Sequence, residues 1–239
     1  MIQRLARENQ LWGAERIRGE LLKLGIRVAK RTIQKYMRAM RSQSPAGPTW
    51  STFLKTQGQD IWACDFVPVV TLLFKTLHVF VIVHHASRRV VHVGVTVHPT
   101  EEWITQQIRD ATPFEEKPAY LICDNDQKFG PMFERVAQAS GIEVIHTPYE
   151  APRANAICER FVGSLRRECL DHMLVIGELQ LIRVLKEYVS YFNPARPHQG
   201  IAQRIPAPRV APPGMPKTRR VVGGPVLNGL RHDYRWAAA

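Results

Sequence analysis

The chain has 239 residues, enough to bury one medium domain beside a smaller appendage, and its 45% hydrophobic content fits neither a disordered nor a fibrous polymer. Its 33 Lys and Arg outnumber 21 Asp and Glu, and a net charge of +12 favours a polyanionic partner, because cations that neutralise phosphates release condensed counterions. No run reaches the ~20 apolar residues of a membrane-spanning helix, the N-terminus lacks a signal-type apolar segment, and cysteines 64, 123, 158 and 169 form no C-x-x-C pair, so a soluble cytoplasmic protein without a zinc ribbon or disulfides is expected.

The charge is concentrated at the start: residues 1–41 hold eleven Lys or Arg against three Glu. In "LWGAERIRGELLKLGIRVAKRTIQKYM", Ile17, Leu21 and Leu24 recur at helical spacing, Gly25 stops the helix, and a second helical pattern carries Ile33 and Met37. Two short helices with a Gly-containing turn read equally well as a helix-turn-helix or as a plain basic helical hairpin. In the first case Arg31, Thr32, Gln34, Lys35 and Arg38 offer a polar face to DNA. Residues 42–50, small, polar and Pro-containing, suit a linker.

Three β-rich runs follow, "IWACDFVPVV", "TLHVFVIVHH" and "RVVHVGVTVH", expected as an antiparallel meander. Thr100 and the acids after it start a helix; "AYLICD" reads as a strand, "PMFERVAQASG" as a helix, "IEVIHT" as a strand, and two amphipathic helices close the series. Strands followed by alternating helix and strand describe an α/β domain with a mixed sheet and helices on its faces. The Pro-rich basic tail from Pro206 is expected to be extended.

Three acids stand out as possible oxygen ligands for a divalent cation: Asp65 inside the first strand, Asp124 at the end of the fourth, and Glu159 near the start of a long helix. Asp is depleted in strands and costly to bury without a charged partner, yet each acid alone also reads as an ordinary solvated carboxylate. At 100° per residue, Cys158, Val162, Leu165 and Cys169 form an apolar stripe, with Asn155, Glu159 and Arg166 together on a neighbouring edge. Alternation along the strands turns Cys64 away from Asp65 and Cys123 away from Asp124. His84, His85 and His92 fall on different faces or elements, which favours structural roles over a zinc site.

Together, "WACD", "CDNDQKFG", "HTPYEAPRANAICERFVGSLRREC" and "YFNPARPHQGI" resemble the integrase catalytic core of insertion-sequence transposases and retroviral integrases, the DDE family. The likeness runs from about Trp50 to Ile201, and the first helical pair resembles the helix-turn-helix that precedes this core in such transposases. What the resemblance implies is a ribonuclease-H-like α/β fold, a mixed five-stranded sheet flanked by helices, with a small N-terminal helix-turn-helix. The expected boundaries are 1–41 for that DNA-binding segment, 42–50 for the linker, 51–205 for the catalytic core and 206–239 for the tail. By motif, Asp65, Asp124 and Glu159 match the three catalytic, metal-binding acids. Thirty-four residues separate the last two, one fewer than is usual, and Asp126 stands where many relatives carry Gly.

The implied activity is DNA cleavage and strand transfer with two Mg²⁺ or Mn²⁺ ions per site, on element ends and target DNA, by a nucleoid-associated homo-oligomer. Lys128, Arg153, Asn155 and Arg166 are expected to position DNA, and His198 to be structural. A ribonuclease H shares the fold but needs no N-terminal DNA reader; a catalytically inactive or truncated transposase-derived DNA-binding protein is the other alternative.

Overall fold

The computed structural model describes residues 1–9, 12–41, 50–113, 116–126, 128–147, 155–209 and 219–238. Its contacts divide it into two units, Met1–Phe53 and Leu54–Ala239. Of the expected linker, only Trp50 is among these residues, and it opens a helix, Trp50–Thr56.

In the first unit, helices α1 (Ile2–Glu8), α2 (Ala14–Lys23) and α3 (Lys30–Arg41) pack around Ile17, Leu21 and Ile33, with Leu5, Trp12 and Met37 against them. The sequence reading anticipated two of these helices and missed α1, which is too short to show a period of its own. Leu24, expected on the buried stripe, is 59% exposed, because α2 ends at Lys23 and Leu24 becomes its C-cap. The stop is a Schellman turn: Gly25 adopts φ 76°, its N–H donates to Leu22 O at 3.0 Å, and Ile26 N–H donates to Leu21 O at 2.8 Å. Along α3, Arg31, Thr32, Gln34 and Lys35 are exposed. Arg38 lies in the same helix, with its side chain outside the described residues.

The second unit is built on a five-stranded sheet in the order β3-β2-β1-β4-β5, from β1 (Ile61–Val70), β2 (Thr76–His84), β3 (Val90–Thr96), β4 (Tyr120–Cys123) and β5 (Glu143–His146). With Trp50–Thr56 counted as α4, helices α5 (Glu101–Ala111), α6 (Pro131–Ala139), α7 (Ala156–Glu168) and α8 (Glu178–Ala195) complete it. Strands β1, β2 and β3 pair antiparallel as the alternating runs require, whereas β4 pairs parallel with β1 and β5 parallel with β4, each reached through a helix. This is the mixed α/β sheet expected from the sequence.

One face of the sheet, with Trp62, Cys64, Phe80, Leu121 and Cys123, packs on Ile104 of α5 and Phe133 of α6, among others. The two helices are tied to each other by Glu101, whose Oε1 accepts the Met132 and Phe133 N–H groups and so satisfies orphan donors at the α6 N-terminus. Thr100 caps α5 as anticipated, accepting the Trp103 N–H at 3.3 Å. Helix α7 lies against β1 and β2, and α8 against β3.

The base of the α7–α8 pair carries a half-buried ion pair. Arg196 Nε donates to Glu168 Oε2 at 2.8 Å, Nη2 donates to Oε1, and the Tyr188 hydroxyl donates to Oε2 at 3.0 Å. Burial alone would raise the Glu168 carboxyl, but the bonds from Arg196 and Tyr188 outweigh it and hold it below the usual range. Removing one partner leaves an uncompensated, part-desolvated charge. Arg196→Met is therefore expected to destabilise the protein by about 2 kcal/mol, read as a lower urea midpoint at unchanged slope.

The tail departs from expectation. Residues 210–218 lie outside the described set, but β6 (Arg219–Val226) and β7 (Arg231–Ala238) form an antiparallel hairpin.

Candidate active site

The sheet brings two of the three acids together. Ala63 of β1 pairs with Ile122, the last pair of this parallel register; Asp65 lies two residues further along β1 and Asp124 directly follows β4, close enough to act on the Asp65 carboxyl. Neighbouring strands lie ~4.8 Å apart, so the carboxylates interact. Glu159 enters from the first turn of α7, the helix that crosses β1 and β2.

Asp65 is half-buried, whereas Asp124, Asp126 and Glu159 are exposed. Burial pushes the Asp65 carboxyl up to about 6, repulsion from Asp124, Glu159 and Asp126 adds to the rise, and a 2.7 Å hydrogen bond from the Phe66 N–H opposes it. All four acids thus lie within electrostatic reach of one point on the sheet. Asp124 accepts the Thr147 hydroxyl at 3.3 Å, and Glu159 is exposed.

Asp126, the rival of Asp124, is already occupied. Its Oδ1 accepts the Lys128 N–H at 3.1 Å and its Oδ2 pairs with Lys128 Nζ at 2.7 Å. Burial raises the Asp126 carboxyl somewhat, but Lys128 outweighs it and holds the group below its ordinary range. Lys128 Nζ also lies 5.4 Å from the ring centroid of Phe66, a residue packed on the α5–α6 side of the sheet.

The cysteines are packing residues, as strand alternation implied. Cys64, Cys123, Cys158 and Cys169 are all buried and free. Cys64 and Cys123 belong to the core on the α5–α6 side. Burial, with the neighbouring acids adding to it, raises the Cys158 thiol well above the ordinary value, and burial likewise raises Cys64, which disfavours the thiolates a metal would need.

Asn155 corrects the sequence reading. Helix α7 begins at Ala156, so Asn155 is its N-cap and falls outside the periodicity that put it on the Glu159 edge. The residue is 2% exposed, and Nδ2 donates to the Cys64 carbonyl at 2.9 Å, so its amide is engaged inside the fold. It ties the start of the Glu159 helix to the residue before Asp65. Asn155→Ala deletes that tie and leaves a buried carbonyl unsatisfied, at a cost of about 2 kcal/mol. A thermal melt is expected to record that loss without loss of helical content.

Arg166 is exposed two turns below Glu159, with Nη2 donating to the Pro68 carbonyl at 3.1 Å. Arg153 lies outside the described residues. His198 is buried, accepts the Gly200 N–H at 3.1 Å and packs edge-on against Phe192. His84 bonds Ser87 and the Gln59 carbonyl, while His92 bonds Gln107, so the two are engaged separately.

Oxygen donors on a sheet and a helix start suit Mg²⁺ or Mn²⁺, and a half-buried carboxylate beside other carboxylates is the environment a cation relieves. By that test the residues fit. Among the described residues, no three His, Cys, Asp or Glu side chains stand close enough as placed to enclose an ion.

Residues 140–206 match the family model described as the integrase core domain, a segment that contains Glu159 and runs through α8. The chain is 25% identical over 174 residues to an uncharacterized 39.2 kDa protein of insertion element IS476 from Xanthomonas euvesicatoria, covering 72% of this chain and 50% of that protein. It thus spans about half the length of the curated relative it matches. Among solved structures, the HTLV-2 integrase catalytic core domain in complex with magnesium is similar at TM-score 0.50 and 17% identity, over 62% of this chain and 93% of the other. A chain of the simian T-cell lymphotropic virus intasome, in complex with the PP2A regulatory subunit B56 gamma, is similar at TM-score 0.53 and 14% identity, over 100% and 87%. The fold is ribonuclease-H-like, as in these integrase structures, and residues 140–206 carry the integrase-core likeness. Among the described residues no helix is long and apolar enough to cross a membrane.

Proposed function

We propose that this chain is a DDE transposase that cleaves and joins DNA strands with divalent metal, and that Asp65, Asp124 and Glu159 are its catalytic ligands. The observation that carries the reading is the Asp65 carboxyl, held in a sheet beside Asp124 and near Glu159, with its protonation raised by that company. When bound, two Mg²⁺ or Mn²⁺ ions activate the attacking hydroxyl and stabilise the leaving oxygen.

The chain's own residues then divide the work. Asp65 presents its oxygens from within β1 and Asp124 from the residue that directly follows β4. Exposed Glu159 closes the set from the side open to a DNA backbone. Lys128 holds Asp126 out of competition and contributes a positive charge. Arg166 extends the track two turns along α7, with guanidinium donors beyond its bond to Pro68 left to meet phosphate. Arg153 is proposed to act with them. Residues 1–41, through Arg31, Thr32, Gln34, Lys35 and Arg38, are assigned to reading duplex DNA, 51–205 to the core, and the active assembly to a homo-oligomer on paired element ends.

The test incubates the full chain with DNA carrying candidate element ends in Mg²⁺ or Mn²⁺ and follows nicking and joining. Metal-dependent products support the proposal. Binding without nicking or joining in either metal overturns it in favour of a non-catalytic DNA-binding protein.

A further inference from the structure

The hairpin β6–β7 has two unlike faces. Cross-strand register puts Val221 opposite Trp236, Gly223 opposite Tyr234, and Pro225 opposite His232, so these six positions share one face, and all are exposed. The other face is anchored. Arg231 donates to the Glu168 and Arg167 carbonyls at 3.1 and 3.2 Å, capping the end of α7. Leu227 is buried with its N–H on Glu187, and Asp233 pairs with Arg209 at 3.0 Å.

The exposed face is organised as a row of rings. Tyr234 is 72% and Trp236 61% exposed, and the His232 and Tyr234 rings stack at 6.2 Å with 27° between their planes. Gly223 makes room for this: a Cβ there would meet Tyr234 Cε1 at 3.1 Å. Exposed aromatic surface of this extent on an anchored ribbon marks a binding face. The charge around it selects the partner. Residues 219–238 contain four Arg and one Asp, the Asp is neutralised by Arg209, and Arg220 and Arg235 are exposed at the aromatic end of the ribbon. A two-stranded ribbon is only ~5 Å across, so an arginine side chain on its reverse is long enough to extend past its edge.

We infer that this hairpin is a binding surface for unpaired DNA, with bases stacking on Tyr234 and Trp236 and phosphates met by Arg220 and Arg235. Aromatic faces beside arginines suit unstacked bases of any sequence, whereas a duplex keeps its base faces covered. The inference rests on the proposal that the protein acts on DNA, since cleavage and joining expose single strands, and it supplies a second contact remote from the three acids.

The test measures fluorescence anisotropy of a labelled oligothymidylate and of a duplex of equal length with the full chain. The parent is compared with Tyr234→Ala/Trp236→Ala, Arg220→Gln/Arg235→Gln and Glu159→Gln. The aromatic variant is expected to lose at least tenfold in oligothymidylate affinity and little in duplex affinity, with its folded state checked by circular dichroism and thermal melting. The arginine variant is expected to lower the slope of log affinity against log salt by about 1.4, or 0.7 for each phosphate released from contact. Parental affinity in a folded aromatic variant overturns the inference, as does a variant that changes only self-association. Glu159→Gln keeps the two ideas apart: an enzyme that nicks while its hairpin variants bind normally defeats the hairpin alone, and hairpin-dependent binding without nicking in the parent defeats the catalytic proposal alone.

Discussion

Replacing Glu159 with Gln is expected to lower DNA nicking and joining by at least about a thousandfold, a loss of about 4 kcal/mol of transition-state stabilisation. The side chain is exposed in the first turn of α7 and packs on nothing essential to the fold, so melting temperature and DNA binding should stay near the parent values. Gln keeps the size and removes the charge, which isolates the ligand role. The comparison with Asp126→Asn gives the result its meaning. Both Asp126 oxygens are held by Lys128, so that change should cost less than tenfold, whereas Asp124→Asn should match Glu159→Gln. Single-turnover nicking of one labelled strand measures all three. A Glu159→Gln protein within tenfold of the parent, or an Asp126→Asn protein as impaired as the Asp124 variant, would falsify the assignment of the trio.

Much of this site was legible because sheets translate sequence into geometry with a period of two. Once "IWACDFVPVV" and "AYLICD" are adjacent strands, the alternation that buries Trp62, Cys64, Leu121 and Cys123 on one face must present Asp65 and Asp124 on the other. Asn155 was misread because a one-residue error at a helix start turns an exposed edge position into a buried cap. The carboxylate of Glu101 on the α6 N-terminus was invisible for a different reason: its partners are more than thirty residues away and no local pattern encodes them. The hairpin left a signal that composition concealed. Asn228–Gly229 stands between two runs of β-type residues, and Leu227 and Asn228 take positive φ there, but the Pro-rich stretch before it drew the whole segment into an extended tail.

The protein is expected to lose stability in metal-free buffer as pH rises from about 4 to about 6. The Asp65 carboxyl moves from an ordinary value of 3.8 to about 6 on folding, so between those values the folded state holds a proton that the unfolded state has released. Below 3.8 both states are protonated and no penalty exists. Above about 6 the folded protein carries the ionised group at full disadvantage, which at 1.36 kcal/mol per pKa unit amounts to about 3 kcal/mol. Asp65→Asn removes the ionisation and retains an oxygen for the Phe66 N–H, so at pH 7 without metal it should be the more stable protein by up to about 3 kcal/mol. Mg²⁺ or Mn²⁺ should reverse the order, raising the parent's melting temperature and leaving that of Asp65→Asn unmoved, because a cation removes the same repulsion that the substitution removes. Calorimetry of both proteins at pH 4 and pH 7, with and without metal, separates this from a general salt effect. A parent that is indifferent to both pH and divalent metal would mean that the four acids do not share a field, and with that the case for a metal site would lose its physical basis.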